Sequence, residues 1–146
     1  MSDRSLSNEH DTSALAAEIA SLSLGGATIA LEGDLGAGKT TLVRYLVDAL
    51  GGRASDVSSP TFALEHEYVT PKGLLVEHWD LYRLTAAPQE LLEPPGDTAV
   101  RLIEWASRCP GVAEAADLVV SIAVEGDGQG RVARLSGRLA GGLRSV

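Results

Sequence analysis

Cysteine is nearly absent from this chain. Cys109 stands alone among 146 residues, so no internal disulfide can form, and a reducing compartment suits it. Cys109 precedes Pro110 and has no basic cluster nearby, which favours a structural thiol over a nucleophile. Positive charge is scarce as well. Twelve Lys and Arg face twenty Asp and Glu, a formal charge of −8. Nucleic acid and anionic membranes reward a basic face, so any RNA contact would call for a partner that supplies the charge. No apolar run approaches a membrane span, and Met1 to His10 contains no apolar signal core. The expectation is a cytoplasmic protein without membrane contact. Metal-binding patterns are missing too. His66 and His78 lie among Glu65, Glu67, Glu77 and Asp80, but their spacing matches no tight zinc motif, which favours structural or solvated histidines.

What the chain does have is Gly33-Asp34-Leu35-Gly36-Ala37-Gly38-Lys39-Thr40-Thr41, a match to G-x-x-x-x-G-K-[ST]. Glycines at 33, 36 and 38 let the backbone turn sharply and bring amide N–H groups to phosphate oxygens. The helix that follows adds the positive end of its dipole. Lys39 would place a charge near the β- and γ-phosphates, and the Thr40 hydroxyl would bind Mg²⁺. The flanks agree with this. Thr28 to Glu32 reads as a buried strand, and Leu42, Val43, Leu46, Val47 and Leu50 recur at helical spacing before Gly51-Gly52. Strand, loop and helix arrive in the order a nucleoside triphosphate site requires, which an ordinary glycine turn does not.

The rest of the chain suits one domain with a sizeable core. Residues 1–10 read as a flexible lead-in, 11–137 as the nucleotide-binding domain and 138–146 as a frayed end. Asp11 or Thr12 could cap a first helix whose inward face is Leu15, Ile19 and Leu22. From Thr61 the period becomes two, with Phe62, Leu64, His66 and Tyr68 on one side. Thr70-Pro71-Lys72-Gly73 has turn chemistry, and Leu74 to Asp80 reads as a returning strand, so an antiparallel hairpin follows the helix. A short helix over Pro88 to Glu93 precedes Pro94-Pro95-Gly96. Further strands are expected at Ala99–Ile103, Leu118–Val124 and Arg131–Leu135, the last two joined by a Gly126-Asp127-Gly128 turn. The fold class is α/β: a P-loop NTPase-like sheet with flanking helices and an antiparallel hairpin portion.

A P-loop needs a carboxylate for its metal and a group to position the attacking atom. Asp80 closes an apolar strand where such an acid should sit, although a turn-capping aspartate would look the same. Glu104 ends the Ala99–Ile103 strand similarly and stays open between the two roles. Carboxyl ends of strands in an open α/β sheet face the ligand crevice, so both acids could meet one ion. Ser59-Pro60-Thr61-Phe62 offers two hydroxyls but is also a plausible plain turn. Trp79 and Trp105 read as core or interface anchors.

Taken together, Gly33–Thr41, Ser59-Pro60-Thr61-Phe62, His78-Trp79-Asp80-Leu81-Tyr82-Arg83-Leu84 and Ile103-Glu104-Trp105 resemble the TsaE (YjeE) family. The resemblance spans about residues 11 to 125. It implies a bacterial ATPase in the making of N6-threonylcarbamoyladenosine at position 37 of tRNA. Its partners would be TsaB and TsaD, and the tRNA would be held mainly through them. By position, Gly33, Asp34 and Gly36 to Thr41 would hold the phosphates of ATP, with Thr40 and Glu104 at Mg²⁺. Asp80 would support Mg²⁺ or the attacking water, and Thr61 would lie near the γ-phosphate. Trp105 would flank the nucleotide, with Asp11 or Thr12 near adenine and Arg131 nearby. Relatives usually carry a longer link between Y-R-L and E-W, with a helix. Here Gln89-Glu90-Leu91-Leu92 runs straight into Pro94-Pro95-Gly96, so this segment is shortened.

Three rival readings remain at this point. A small P-loop kinase acting on a metabolite would need a lid and acceptor pocket for which little chain is left. A GTP switch would want an N-K-x-D signature, which is missing. A nucleotide-binding assembly module would bind ATP without useful hydrolysis. No arginine finger stands out, and Arg83 reads as a finger or a structural ion pair, so basal turnover should be low.

Overall fold

The computed structural model describes residues 2–34, 36–126, 128 and 130–143. Nine regular elements follow one another: β1 (Ser2–Leu6), α1 (Glu9–Ala20), β2 (Thr28–Glu32), α2 (Lys39–Ala49), β3 (Glu65–Val69), β4 (Leu75–Asp80), β5 (Ala99–Glu104), β6 (Leu118–Val124) and β7 (Arg131–Ser136). The seven strands make one sheet in the order β1-β7-β6-β2-β5-β4-β3. Its centre, β6-β2-β5-β4, is parallel. Antiparallel β7 and β1 extend one edge, and antiparallel β3 forms the other. The expected hairpin is therefore β3–β4, paired through Tyr68↔Val76 and Glu67↔Glu77.

Strand alternation sorts the core. Ile29 and Leu31 of β2, Val100 and Leu102 of β5, and Leu118 and Val120 of β6 turn to one face, where α1 and α2 cover them with Leu15, Ile19, Leu42, Val43 and Leu46. Ala30, Trp79 and Ile103 turn the other way, onto a smaller core with Leu81, Ala106, Cys109 and Val112. Among the described residues no α-helix covers this second face; the 3₁₀ turns at 89–92 and 106–108 and the loop after β5 do so. Every residue of β5 is buried, as expected for a central parallel strand covered on both sides.

Several expectations need correction. Residues 2–6 are a strand, not a lead-in: Ser2 pairs with Leu135 and Leu6 with Arg131, filling the open edge of β7. Leu6 is buried, and Arg4 makes a two-pronged ion pair with Glu18 of α1 at 2.8 Å. The cap of α1 is Asn8, whose Oδ1 accepts from the Asp11 N–H at 3.0 Å, and Leu22 falls beyond the helix end. The strand after the P-loop helix begins at Glu65, because the Leu64 N–H closes a turn onto the Pro60 carbonyl at 2.6 Å and Leu64 adopts φ +76°. That turn leaves Phe62 85% exposed instead of alternating inward. The short helix before Pro94-Pro95 is a single 3₁₀ turn, Gln89–Leu92. At the far end, 140–142 forms a 3₁₀ turn with Ala140 and Leu143 buried, so this part is packed and not frayed. Arg144 to Val146, Asp127 of the β6–β7 turn and Leu35 of the P-loop lie outside the described residues.

Candidate functional site

The P-loop leaves the carboxyl end of central β2 and enters α2, the place where an open α/β sheet presents its crevice. Gly33 is required by space as well as conformation. At φ +147° a β-carbon there would lie 2.5 Å from the Ile122 carbonyl oxygen of β6. Gly38, at φ +113°, caps α2 and leaves the first amides of the helix facing outward.

Lys39, the first residue of α2, is buried. Its ammonium donates to the Gly33 carbonyl, reaches toward the Asp34 carbonyl at 3.4 Å, and lies 3.9 Å over the Trp105 ring. Burial lowers its pKa from the usual lysine range, while Glu104, Asp80, Glu32 and Asp34 pull the other way. Thr40 donates to Glu104 Oε2 at 3.0 Å. Asp80 and Glu104 end β4 and β5 in register with each other, and both are buried. Asp80 accepts from the Thr61 hydroxyl at 2.8 Å and from the Tyr82 N–H at 2.8 Å, and Thr61 lies 2.8 Å from the Ser59 hydroxyl. Lys39, Thr40, Ser59, Thr61, Asp80, Glu104 and Trp105 thus line one cleft with the P-loop glycines.

A second cleft opens on the other side of the P-loop. Leu6, Ser7, Asn8, Glu9 and Thr12 form one wall, and Ile122 and Arg131 the other, with Gly36, Ala37 and Gly38 between. Arg131 donates to the Ala37 carbonyl at 3.0 Å and the Gly36 carbonyl at 3.3 Å, so it braces the loop from β7. Thr12 faces this cleft. Asp11 does not: its carboxylate accepts the Ser7 N–H at 2.9 Å and is occupied in the helix cap.

His78 was read from sequence as a structural or solvated histidine. It is completely buried, with Nε2 2.6 Å from Glu104 Oε2 and Nδ1 3.1 Å from the Tyr68 hydroxyl. The available signal was its phase: two residues before Asp80 in a strand, it must share the face of that acid. Among the described residues Arg83 makes no ion pair; its guanidinium stacks on exposed Phe62 at 4.3 Å. Trp105 adopts φ +60° and meets Tyr82 edge-on at 4.9 Å. Cys109 is buried and its thiol pKa is raised by desolvation, as an inert thiol requires.

The donors that converge on Thr40 are a hydroxyl and carboxylate oxygens, the hard set that Mg²⁺ prefers. Among the described residues no group of three or more His, Cys, Asp or Glu side chains is placed to hold a metal ion by itself. Among the described residues, too, no helix is long and apolar enough to cross a membrane.

Comparison with known proteins agrees with the geometry. In the crystal structure of Bacillus subtilus YdiB, the match covers 92% of this chain and 84% of that one, with a TM-score of 0.68 and 27% identity. The tRNA threonylcarbamoyladenosine biosynthesis protein TsaE of Aquifex aeolicus (strain VF5) is 54% identical over 80 residues, 54% of this chain and 59% of that protein. The protein of the same name from Haemophilus influenzae is 41% identical over 97 residues, 63% of this chain and 60% of that one. The chain spans about three-fifths of the length of these curated relatives. Residues 6–133, almost the whole sheet and both clefts, match the family model described as threonylcarbamoyl adenosine biosynthesis protein TsaE, and the chain belongs to that family.

Proposed function

We propose that this chain is a Mg²⁺-dependent ATP hydrolase of tRNA threonylcarbamoyladenosine biosynthesis, slow alone and stimulated by TsaB and TsaD. The observation that carries the reading is the single cleft in which Lys39, Thr40, Thr61, Asp80 and Glu104 converge at the carboxyl ends of β2, β4 and β5. Membership of the family supplies the pathway. The acidity of the chain fits a component that meets tRNA only through partners, in the cytoplasm.

The residues divide the work. Backbone amides at the start of α2 and the Lys39 ammonium would hold the β- and γ-phosphates, with Lys39 leaving the Gly33 carbonyl for phosphate oxygens. Thr40 and Glu104 would ligate Mg²⁺, which supplies charge neutralisation between the β- and γ-phosphates when bound. Asp80 and Thr61 would orient a water in line with the γ-phosphorus. The water oxygen then bonds to that phosphorus while the bond to the β,γ-bridging oxygen breaks, giving ADP and inorganic phosphate; the water's proton leaves to a phosphate oxygen or to solvent. The cleft of Asn8, Thr12 and Arg131 would take the nucleoside. Preorganised donors aimed at developing charge are worth about 10²–10³-fold each, so Lys39→Ala should cost that much in turnover.

The test is ATP hydrolysis by the purified chain with Mg²⁺, alone and with TsaB and TsaD, beside Lys39→Ala. Stimulation by both partners that disappears in the variant supports the reading. No hydrolysis under any combination, or undiminished turnover by the variant, overturns it.

A further inference from the structure

Behind the phosphate cleft runs a buried series of hydrogen bonds that phosphate binding does not itself require. His78 Nε2 lies 2.6 Å from Glu104 Oε2, the same oxygen to which Thr40 donates. The opposite ring nitrogen lies 3.1 Å from the Tyr68 hydroxyl on edge strand β3. That hydroxyl in turn meets the Ser58 main chain, 3.2 Å from its carbonyl oxygen and 3.3 Å from its N–H. Ser58 opens the segment that carries Thr61, and Thr61 returns to Asp80, the register neighbour of Glu104. The series therefore starts at one strand-end acid and closes on the other.

The placement is costly for a merely structural residue. His78 shares the face of Val76, where an apolar side chain would carry no desolvation penalty. Its two nitrogens must both be satisfied, and they are satisfied by Glu104 and Tyr68. With the Nε2 proton given to Glu104, Nδ1 is an acceptor. Tyr68 then has one proton and three acceptors in reach, His78 Nδ1 at 3.1 Å, the Ser58 carbonyl at 3.2 Å and, farthest, His66 Nδ1 at 3.5 Å. Whatever changes the hold of Glu104 on His78 changes which acceptor Tyr68 serves, and so how firmly Ser58 is held.

We propose that His78 and Tyr68 are positioning residues that couple the Glu104 carboxylate at the Mg²⁺ site to the Ser58–Thr61 loop over the γ-phosphate. The proposal rests on the Mg²⁺–ATP reading above, in particular on Glu104 as a ligand. Residues that orient a metal ligand are typically worth 10- to 100-fold in metal affinity.

The experiment measures binding of a fluorescent ATP analogue to the full chain in EDTA and across a MgCl₂ titration, with amide hydrogen exchange over residues 57–62. Tyr68→Phe leaves the His78 N–H on Glu104, so affinity in EDTA and the Mg²⁺ needed for half-effect should stay within about twofold, while the slowing of loop exchange by Mg²⁺ and nucleotide should be abolished. His78→Gln keeps an N–H for Glu104 but sets no acceptor at the place of Nδ1, so Tyr68 loses this partner. That variant should retain the wild-type Mg²⁺ requirement and lose only the loop response. His78→Ala takes the donor away from Glu104 and should raise the Mg²⁺ needed for half-effect about 10-fold; should it fail to fold, the other two variants still decide. Variants that lower the melting temperature while Mg²⁺ requirement and loop exchange stay linked as in wild type overturn the proposal. Because binding is read, a wild type that shows the coupling but hydrolyses nothing sinks the hydrolase reading alone. Nucleotide binding indifferent to Mg²⁺ sinks both.

Discussion

On one side of the P-loop, Lys39, Thr40, Thr61 and Asp80 each hold a partner within the cleft, and the two acids are buried with their strands. On the other side, the walls are a strand edge, a helix cap and one arginine, with polar groups that serve the fold first: Asn8 caps α1 and Arg131 braces the loop. The contrast separates two jobs. Charge that develops during a reaction needs groups fixed in advance in a dry setting. A nucleoside needs shape and a few directional contacts, which ordinary structural residues can provide.

Breaking the first cleft should give the largest effects. Glu104→Gln removes charge from the proposed metal site while preserving shape, and turnover should fall about 10²-fold or more, with nucleotide affinity in EDTA little changed. Steady-state kinetics beside equilibrium binding checks this, and equal losses in both would erase the distinction between clefts. Arg131→Ala acts on the second cleft and on the brace behind the loop. Nucleotide affinity should weaken about 10-fold, roughly 1.4 kcal/mol, with a smaller change in kcat, read by isothermal titration. Glu18→Ala removes the two-pronged ion pair through which α1 holds Arg4 of β1. Unfolding by urea should show a loss of about 1–3 kcal/mol, with weaker nucleotide binding than turnover alone would suggest.

The smallest effect sharpens the comparison from outside both clefts. Burial and the neighbouring Glu67 push the Glu65 carboxyl up to about 7. Its folded pKa thus exceeds the unfolded value, so its contribution is fully present below the unfolded value of 4.5 and is lost as pH rises through 7. Glu65→Gln should raise the melting temperature at pH 8 by about 1–3 °C and flatten its fall between pH 5 and 8, without moving nucleotide affinity.

How much of this could be read from sequence follows the same divide. The P-loop, the parallel strands and the strand-end acids were legible because glycine spacing, apolar runs and chain direction are local. The second cleft was legible only through the family resemblance, which put Thr12 and Arg131 beside the nucleotide. The pairing of β1 with β7 is non-local, and its five residues alternate Arg4 and Leu6 with polar positions that resemble a solvated tail. Phe62 misled for a different reason. It continues the period of β3, but the Pro60–Leu64 turn intervenes, and turn closure outranks alternation there. For His78 the phase with Asp80 gives its face, but its partner Glu104 lies on the neighbouring strand, which sequence spacing does not reveal.

The pairing of Ser2 with Leu135 also bears on how the molecule is made. Synthesis is vectorial, and contacts between residues far apart in sequence form late. While the ribosome is still adding β7, the emerging chain already contains its whole phosphate loop, yet β1 has no strand to join. On the function proposed above, a nascent chain could grip a triphosphate before it could recognise the base attached to it.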